Sequence, residues 1–61
     1  MSESDLEQVP VYRMVHALRE EISTNLSLAS QAVSGDSFEE AAHLLSETRR
    51  LVLVLEAIME A

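Results

Sequence analysis

The sequence predicts an all-α protein: an antiparallel two-helix hairpin that pairs with a second copy into a dimeric four-helix bundle. Three observations predict this fold class. The 61 residues contain one Gly and one Pro, which leaves room for few turns. Apolar residues recur at steps of three and four, which is the period of an α-helix. The last helix is apolar on more than one side, so one neighbouring helix is not enough to cover it.

The first helix is predicted from about residue 10 to residue 34. Residues 1–8 form a separate acidic N-terminal tail, and the hairpin takes up residues 9–61. Pro10 suits the first position of a helix, where no backbone N–H is needed for a hydrogen bond within the helix. The apolar stripe of this helix consists of Val11, Met14, Val15, Leu18, Ile22, Leu26, Ala29, Ala32 and Val33.

The segment "SGDS", residues 34–37, predicts a turn at residues 35–36. Gly35 suits the left-handed conformation that often ends a helix. Ser37 and Glu40 have the spacing of a capping box at the start of the next helix, with Asp36 as the alternative cap. Because the turn is so short, the two helices must be antiparallel neighbours.

The second helix is predicted from about residue 37 to residue 60, with a wide apolar stripe. Three series with seven-residue spacing form it: Phe38, Leu45, Val52 and Met59; Ala41, Thr48 and Leu55; Leu44, Leu51 and Ile58. Beyond Arg50 the stripe widens further, because Leu53, Val54 and Ala57 are also apolar. We therefore expect a second chain to cover this part of the helix. The predicted interface consists of Leu51, Val52, Leu53, Val54, Leu55, Ile58 and Met59.

Two polar residues interrupt the stripes at the same height. Asn25 lies in the stripe of the first helix, and the turn brings it opposite residues 46–48, next to Thr48. A polar pair inside a helical seam can fix the register and the oligomeric state. Asn25 and Thr48 are therefore predicted to form a register-setting polar layer. The alternative is that Asn25 lies at the edge of the stripe in contact with water.

Charge and composition argue against several function classes. The net charge is −7 and the chain has no Lys, so it would repel nucleic acid and anionic membrane surfaces. No apolar run reaches the ~18 residues of a membrane span. No secretory signal is visible, so a cytoplasmic location is expected. There is no Cys to form disulfides or thiolate metal sites.

No catalytic, cofactor-binding or metal-binding residues are predicted. Glu40 and His43 have the spacing of ligands in di-metal helical bundles, but the series place both on the outer face of the second helix. His16 and Glu20 form a surface pair, and a two-helix hairpin offers no cleft in which acid–base chemistry could be organised. We expect the chain to need no cofactor and to have no enzymatic activity.

The expected function is therefore protein–protein interaction, with the chain assembling as a homodimer. The alternative is an adaptor, antitoxin or chaperone-like small subunit whose apolar C-terminal helix docks on a larger protein partner. With its short "SGDS" turn and its apolar "LVLVLEAIM" segment, the chain resembles the small plasmid-copy-control hairpin dimers in organisation. The resemblance implies a dimeric four-helix bundle. That family binds RNA through basic helix faces, which this acidic chain lacks, so the resemblance implies the architecture alone.

Overall fold

The computed structural model describes residues 10–60 and contains two helices in that range. Helix α1 spans Pro10–Ser34 and helix α2 spans Phe38–Glu60. The two helices pack against each other, which confirms the prediction of an all-helical chain with two packed helices. The predicted acidic tail, residues 1–8, lies outside the described residues.

The turn ends α1 through three backbone hydrogen bonds. The N–H of Ser37 donates to the carbonyl of Ala32 at 2.7 Å, and the N–H of Asp36 donates to the carbonyl of Val33 at 3.1 Å. This pair of bonds is the Schellman motif, in which the residue after the helix cap is left-handed. That residue is Asp36, with φ 61°, and Gly35 does not have a positive φ. The prediction that Gly35 is left-handed is therefore wrong by one residue, because Gly35 is the cap residue of α1 and its N–H still donates to the carbonyl of Gln31 at 3.0 Å.

Helix α2 begins at Phe38, which places Ser37 at the position before the first helical residue. The N–H of Ala41 donates to the carbonyl of Ser37 at 3.0 Å, which is the first hydrogen bond of the helix. Glu39 and Glu40 occupy the first turn. Carboxylates stabilise this end of a helix because its unpaired N–H groups carry partial positive charge.

One row of side chains on each helix faces the other helix, and we call this contact the seam. These side chains are less exposed than their neighbours and recur at alternating steps of three and four residues. On α1 the row is Val15, Leu18, Ile22, Asn25, Ala29 and Ala32; on α2 it is Ala41, Leu44, Thr48, Leu51, Leu55 and Ile58.

The seam is narrower than the predicted stripes. On α1, four residues of the predicted stripe are exposed: Val11, Met14, Leu26 and Val33. On α2, the series that starts at Phe38 is exposed along the whole helix, and only the other two series face α1. A single neighbouring helix covers two of the three series, so the third remains in contact with water.

Burial along the seam follows side-chain size. Its buried apolar residues are Ala29, Ala32 and Ala41, which lie near the turn. Towards the other end of the hairpin the seam residues are large, and all of them are half-buried. No large apolar side chain in residues 10–60 is fully buried. Two helices form a single layer, whereas stable domains bury their cores between two or more layers.

Candidate interaction surface

Seven large apolar side chains line one side of the hairpin, beside the seam, and we call this side the apolar face. Their exposed fractions range from 38% for Tyr12 to 71% for Met59. The seven residues are Tyr12, Leu26 and Val33 on α1, and Phe38, Leu45, Val52 and Met59 on α2. Residues spaced by seven lie on the same side of a helix, and both sets have this spacing, with Arg19 completing the set on α1.

The position of Glu21 shows which rows share a side. Glu21 borders a small hollow together with Glu47 and Arg50, so these residues lie on one side of the seam. The row of Met14, Glu21 and Leu28 therefore shares that side with the row of Glu40, Glu47 and Val54. The Tyr12 row of α1 and the Phe38 row of α2 must then share the opposite side, which makes the apolar face continuous across both helices.

In the antiparallel hairpin, the residues of the apolar face lie at four heights, each with one residue from α1 beside one from α2, and we call each such pair a step. Val33 and Phe38 lie nearest the turn, and Leu26 lies at the height of Leu45. Further from the turn, Arg19 lies at the height of Val52, and Tyr12 at the height of Met59. Three of the four steps are apolar on both helices. A surface of this kind, bounded by polar residues, typically marks an interaction site.

Carboxylates are concentrated away from the apolar face. Glu21, Glu40 and Glu47 lie on the opposite side of the seam. Within the two described helices, Glu56 is the only carboxylate in the rows next to the apolar face. A chain with a net charge of −7 can therefore present this face to another acidic protein without bringing most of its negative charges together.

A polar cluster lies at the α1 edge of the apolar face, far from the turn. The rings of Tyr12 and His16 are stacked, with centroids 6.5 Å apart and planes 9° from parallel. Nε2 of His16 lies 3.4 Å from Oε1 of Glu20, and both side chains are well exposed. This spacing of four residues holds Tyr12 against the helix surface at the rim of the apolar face.

The residues predicted as an interface are divided among several positions. Leu51, Leu55 and Ile58 lie in the seam and are half-buried by α1. Val52 and Met59 belong to the apolar face, whereas Leu53 points away from α1 and Val54 lies on the side of Glu47. The prediction did not include Tyr12, Leu26, Val33, Phe38 and Leu45. Their shared seven-residue spacing in both helices is the sequence signal that could have identified them.

The two residues of the predicted polar layer both lie in the seam. Thr48 is 5% exposed and is the buried polar residue of the described chain. Its Oγ1 donates to the carbonyl of Leu44 at 2.7 Å, so the hydroxyl is satisfied within its own helix. Asn25 is half-buried. That these residues set the register stays a prediction.

The remaining histidine lies in an open part of the surface. His43 borders a shallow hollow at the start of α2 with Asp36, Glu39 and Glu40. No group of three potential ligands close enough to hold a metal ion occurs among residues 10–60. Neither described helix has the length and apolar content that crossing a membrane requires.

Comparison with family models, curated proteins and solved structures found no match to this chain. The apolar face is therefore interpreted from its own geometry.

Proposed function

We propose that this chain is a non-enzymatic interaction protein that assembles as a homodimer, with the apolar faces of two hairpins packed together into a four-helix bundle. The apolar face is the observation that carries the proposal. It would turn the single layer of the hairpin into two layers with a core between them. In the dimer the half-buried large residues of the seam would also lose part of their remaining contact with water.

The size of the apolar face supports this assembly. Phe and Tyr side chains each have about 150–250 Å² of surface to bury. With about 200 Å² for these two and about 150 Å² for the five smaller side chains, the exposed fractions correspond to roughly 600 Å² per chain. Two facing copies would bury on the order of 1,200 Å² from these side chains alone, which is the lower end of the range for specific protein interfaces. A chain of 61 residues also has little core of its own.

The second copy is the occupant that the charge pattern favours. A partner chosen for opposite charge would be expected to approach the acidic side, whereas the apolar face has Arg19 as its single charged member. Two identical apolar faces match each other in both length and chemistry. Two-fold pairing of one surface with itself is the commonest form of protein assembly.

The test compares two substitutions of the same kind on α2. Leu45→Glu places a charge in the centre of the apolar face, and Leu53→Glu places the same charge on the side that points away from α1. We expect the wild-type chain, of 6.8 kDa, to sediment at twice that mass. We expect Leu45→Glu to shift the protein to monomers and Leu53→Glu to leave the dimer intact.

Helicity measured by circular dichroism on the same samples separates loss of assembly from loss of folding. A wild-type chain that remains monomeric up to millimolar concentration would contradict the homodimer. So would a Leu45→Glu variant that dimerises as well as the wild type. If the wild-type chain is a monomer, the apolar face would instead support the alternative function, in which it docks on a larger protein partner.

A further inference from the structure

If two apolar faces pack together, which rests on the function proposed above, two-fold symmetry allows two arrangements. With the symmetry axis along the helices, both turns lie at the same end, and each α1 lies on the α2 of the other copy. With the axis across the helices, the turns lie at opposite ends, and each helix lies on its own counterpart. Both arrangements bury the same apolar side chains, so polar residues must distinguish them.

Three charged residues lie within or beside the apolar face. Arg19 is a member of the face on α1. Arg49 and Glu56 lie next to it on α2, four residues after Leu45 and Val52, so each is adjacent to the face on the helix surface. Within residues 10–60, none of these three side chains contacts an opposite charge. Their contacts in the dimer therefore depend on how the second copy is oriented.

The arrangement with opposite ends brings no opposite charges together. Arg49 is the middle residue of α2, which spans Phe38–Glu60, so full overlap places it directly across the axis from its own copy. Arg19 would face the apolar step of Leu26 in the second copy. In this arrangement Arg49 faces its own copy, and Arg19 and Glu56 have no partners. Placing like charges opposite each other disfavours an interface, so the charges argue against this arrangement.

The arrangement with both turns at one end pairs the charges. Arg19 then lies on Val52 of the second copy, between Glu56 and Arg49 of that copy, each about one helical turn away. Side chains lean towards the N-terminus of their own helix. Because the two helices run in opposite directions, Arg19 and Glu56 of the second copy lean towards each other, whereas Arg49 of that copy leans away from Arg19. Symmetry gives the dimer two such pairs.

We propose that the two hairpins pack with both turns at the same end, so that each α1 lies on the α2 of the other copy and Arg19 pairs with Glu56 across the interface. The symmetry axis then runs along the helices, which also fixes the register. A shift of one copy along this axis would break the two-fold symmetry of the dimer.

The distance between the two turns tests the orientation directly. The chain has no Cys, so a Gly35→Cys variant carries one spin label per copy. Gly35 tolerates a side chain, because an added Cβ would approach the Gln31 carbonyl oxygen at 3.6 Å. Turns at the same end should give label distances of about 20 Å, close to two helix diameters. Turns at opposite ends should give about 40 Å, close to the length of α1.

Exchange of the two charges tests the pair. We expect Arg19→Glu and Glu56→Arg each to raise the dimer dissociation constant about tenfold, because each places two like-charged pairs in the dimer. The double variant R19E/E56R should return to within about twofold of the wild type. Glu60→Arg is the control for net charge, since it lies on α2 away from the apolar face, and it should leave the dissociation constant nearly unchanged.

The possible outcomes separate this inference from the proposed function. A dimer with labels about 40 Å apart, or a double variant as weak as the single variants, overturns the same-end arrangement and leaves the homodimer standing. A labelled Gly35→Cys variant that gives no dipolar signal, together with a wild-type protein that sediments as a monomer, overturns both the same-end arrangement and the homodimer. Short label distances together with rescue by the double variant support the arrangement.

Discussion

Near the turn, Ala29, Ala32 and Ala41 occupy the seam and are almost completely buried. At the open end of the hairpin, Leu18 and Leu55 occupy equivalent positions and keep part of their surface in water. The two ends share a backbone arrangement and a repeat, and they differ in side-chain size. Small side chains let two helices approach closely, and the closely packed helices then enclose these side chains. Large side chains hold the helices further apart and extend beyond the cover that one neighbour provides.

This difference indicates that the alanines near the turn are enclosed within one chain, whereas the large seam residues at the open end are not. We therefore expect substitutions at the two ends to respond differently to protein concentration. Stability that depends on assembly varies with the concentration of the chain, and stability within one chain does not.

The largest effect is expected at the open end. Leu55→Ala should lower the free energy of unfolding by about 3 kcal/mol when the protein is assembled, because it removes a large side chain from a core shared by two chains. The loss should be clearly smaller in dilute solution. Urea unfolding at low and high protein concentration measures both values, with Leu53→Ala as the exposed control. An equal loss at both concentrations would show that the open end does not depend on assembly.

The turn end should respond to added volume. Ala41→Leu should lower the free energy of unfolding by about 2 kcal/mol, because the helices are too close there to accept three further carbon atoms. Ala57→Leu makes the same change at an exposed position of α2 and should have little effect. The loss at Ala41 should be the same at every concentration in these urea experiments. Tolerance of Leu at position 41 would mean that the helices are not tightly packed near the turn.

Asn25 lies in the seam between the two ends, so a substitution there tests where the seam changes from one kind of packing to the other. Asn25→Leu should raise the free energy of unfolding by about 1 kcal/mol and broaden the distribution of oligomers, because a polar seam residue limits the allowed registers. Thr48→Val is the control. Its hydroxyl bonds within its own helix, so the change should stay below about 0.5 kcal/mol. Thermal melting and sedimentation measure both properties, and no change in either would place the Asn25 amide in water.

The smallest effect is expected in the turn itself. Asp36→Gly should raise the free energy of unfolding by about 0.5–1 kcal/mol, because Gly adopts a positive φ without steric cost. Gly35→Ala should be close to neutral, since its added Cβ meets only ordinary contacts. Thermal unfolding of the two variants side by side checks the assignment. Destabilisation by Gly35→Ala together with no gain from Asp36→Gly would place the left-handed residue at position 35.

The two helices and their turn could be predicted from the repeat of apolar residues and from "SGDS". The choice of seam could not, because all three series on α2 have the same seven-residue spacing, and one of the two that face α1 contains Thr48, whereas the exposed series that starts at Phe38 is apolar throughout. The series containing Ala41 faces α1 because small residues permit close approach of the two helices. The spacing of apolar residues does not indicate side-chain size, so it could not predict this choice. The left-handed residue was misplaced for a similar reason, since Gly is the commonest choice there but the hydrogen bonds of the motif decide the position.

The gradient of side-chain size along the seam also has a consequence for the order of folding. Contacts near the turn join residues that are close in sequence, so they lose the least chain entropy when they form. We therefore expect Ala32 and Ala41 to meet early and the large residues at the other end to be enclosed last. During that interval the helices are already held side by side while their bulky ends remain accessible. An incoming chain would then meet a template rather than a flexible coil, and association would complete the folding of both chains.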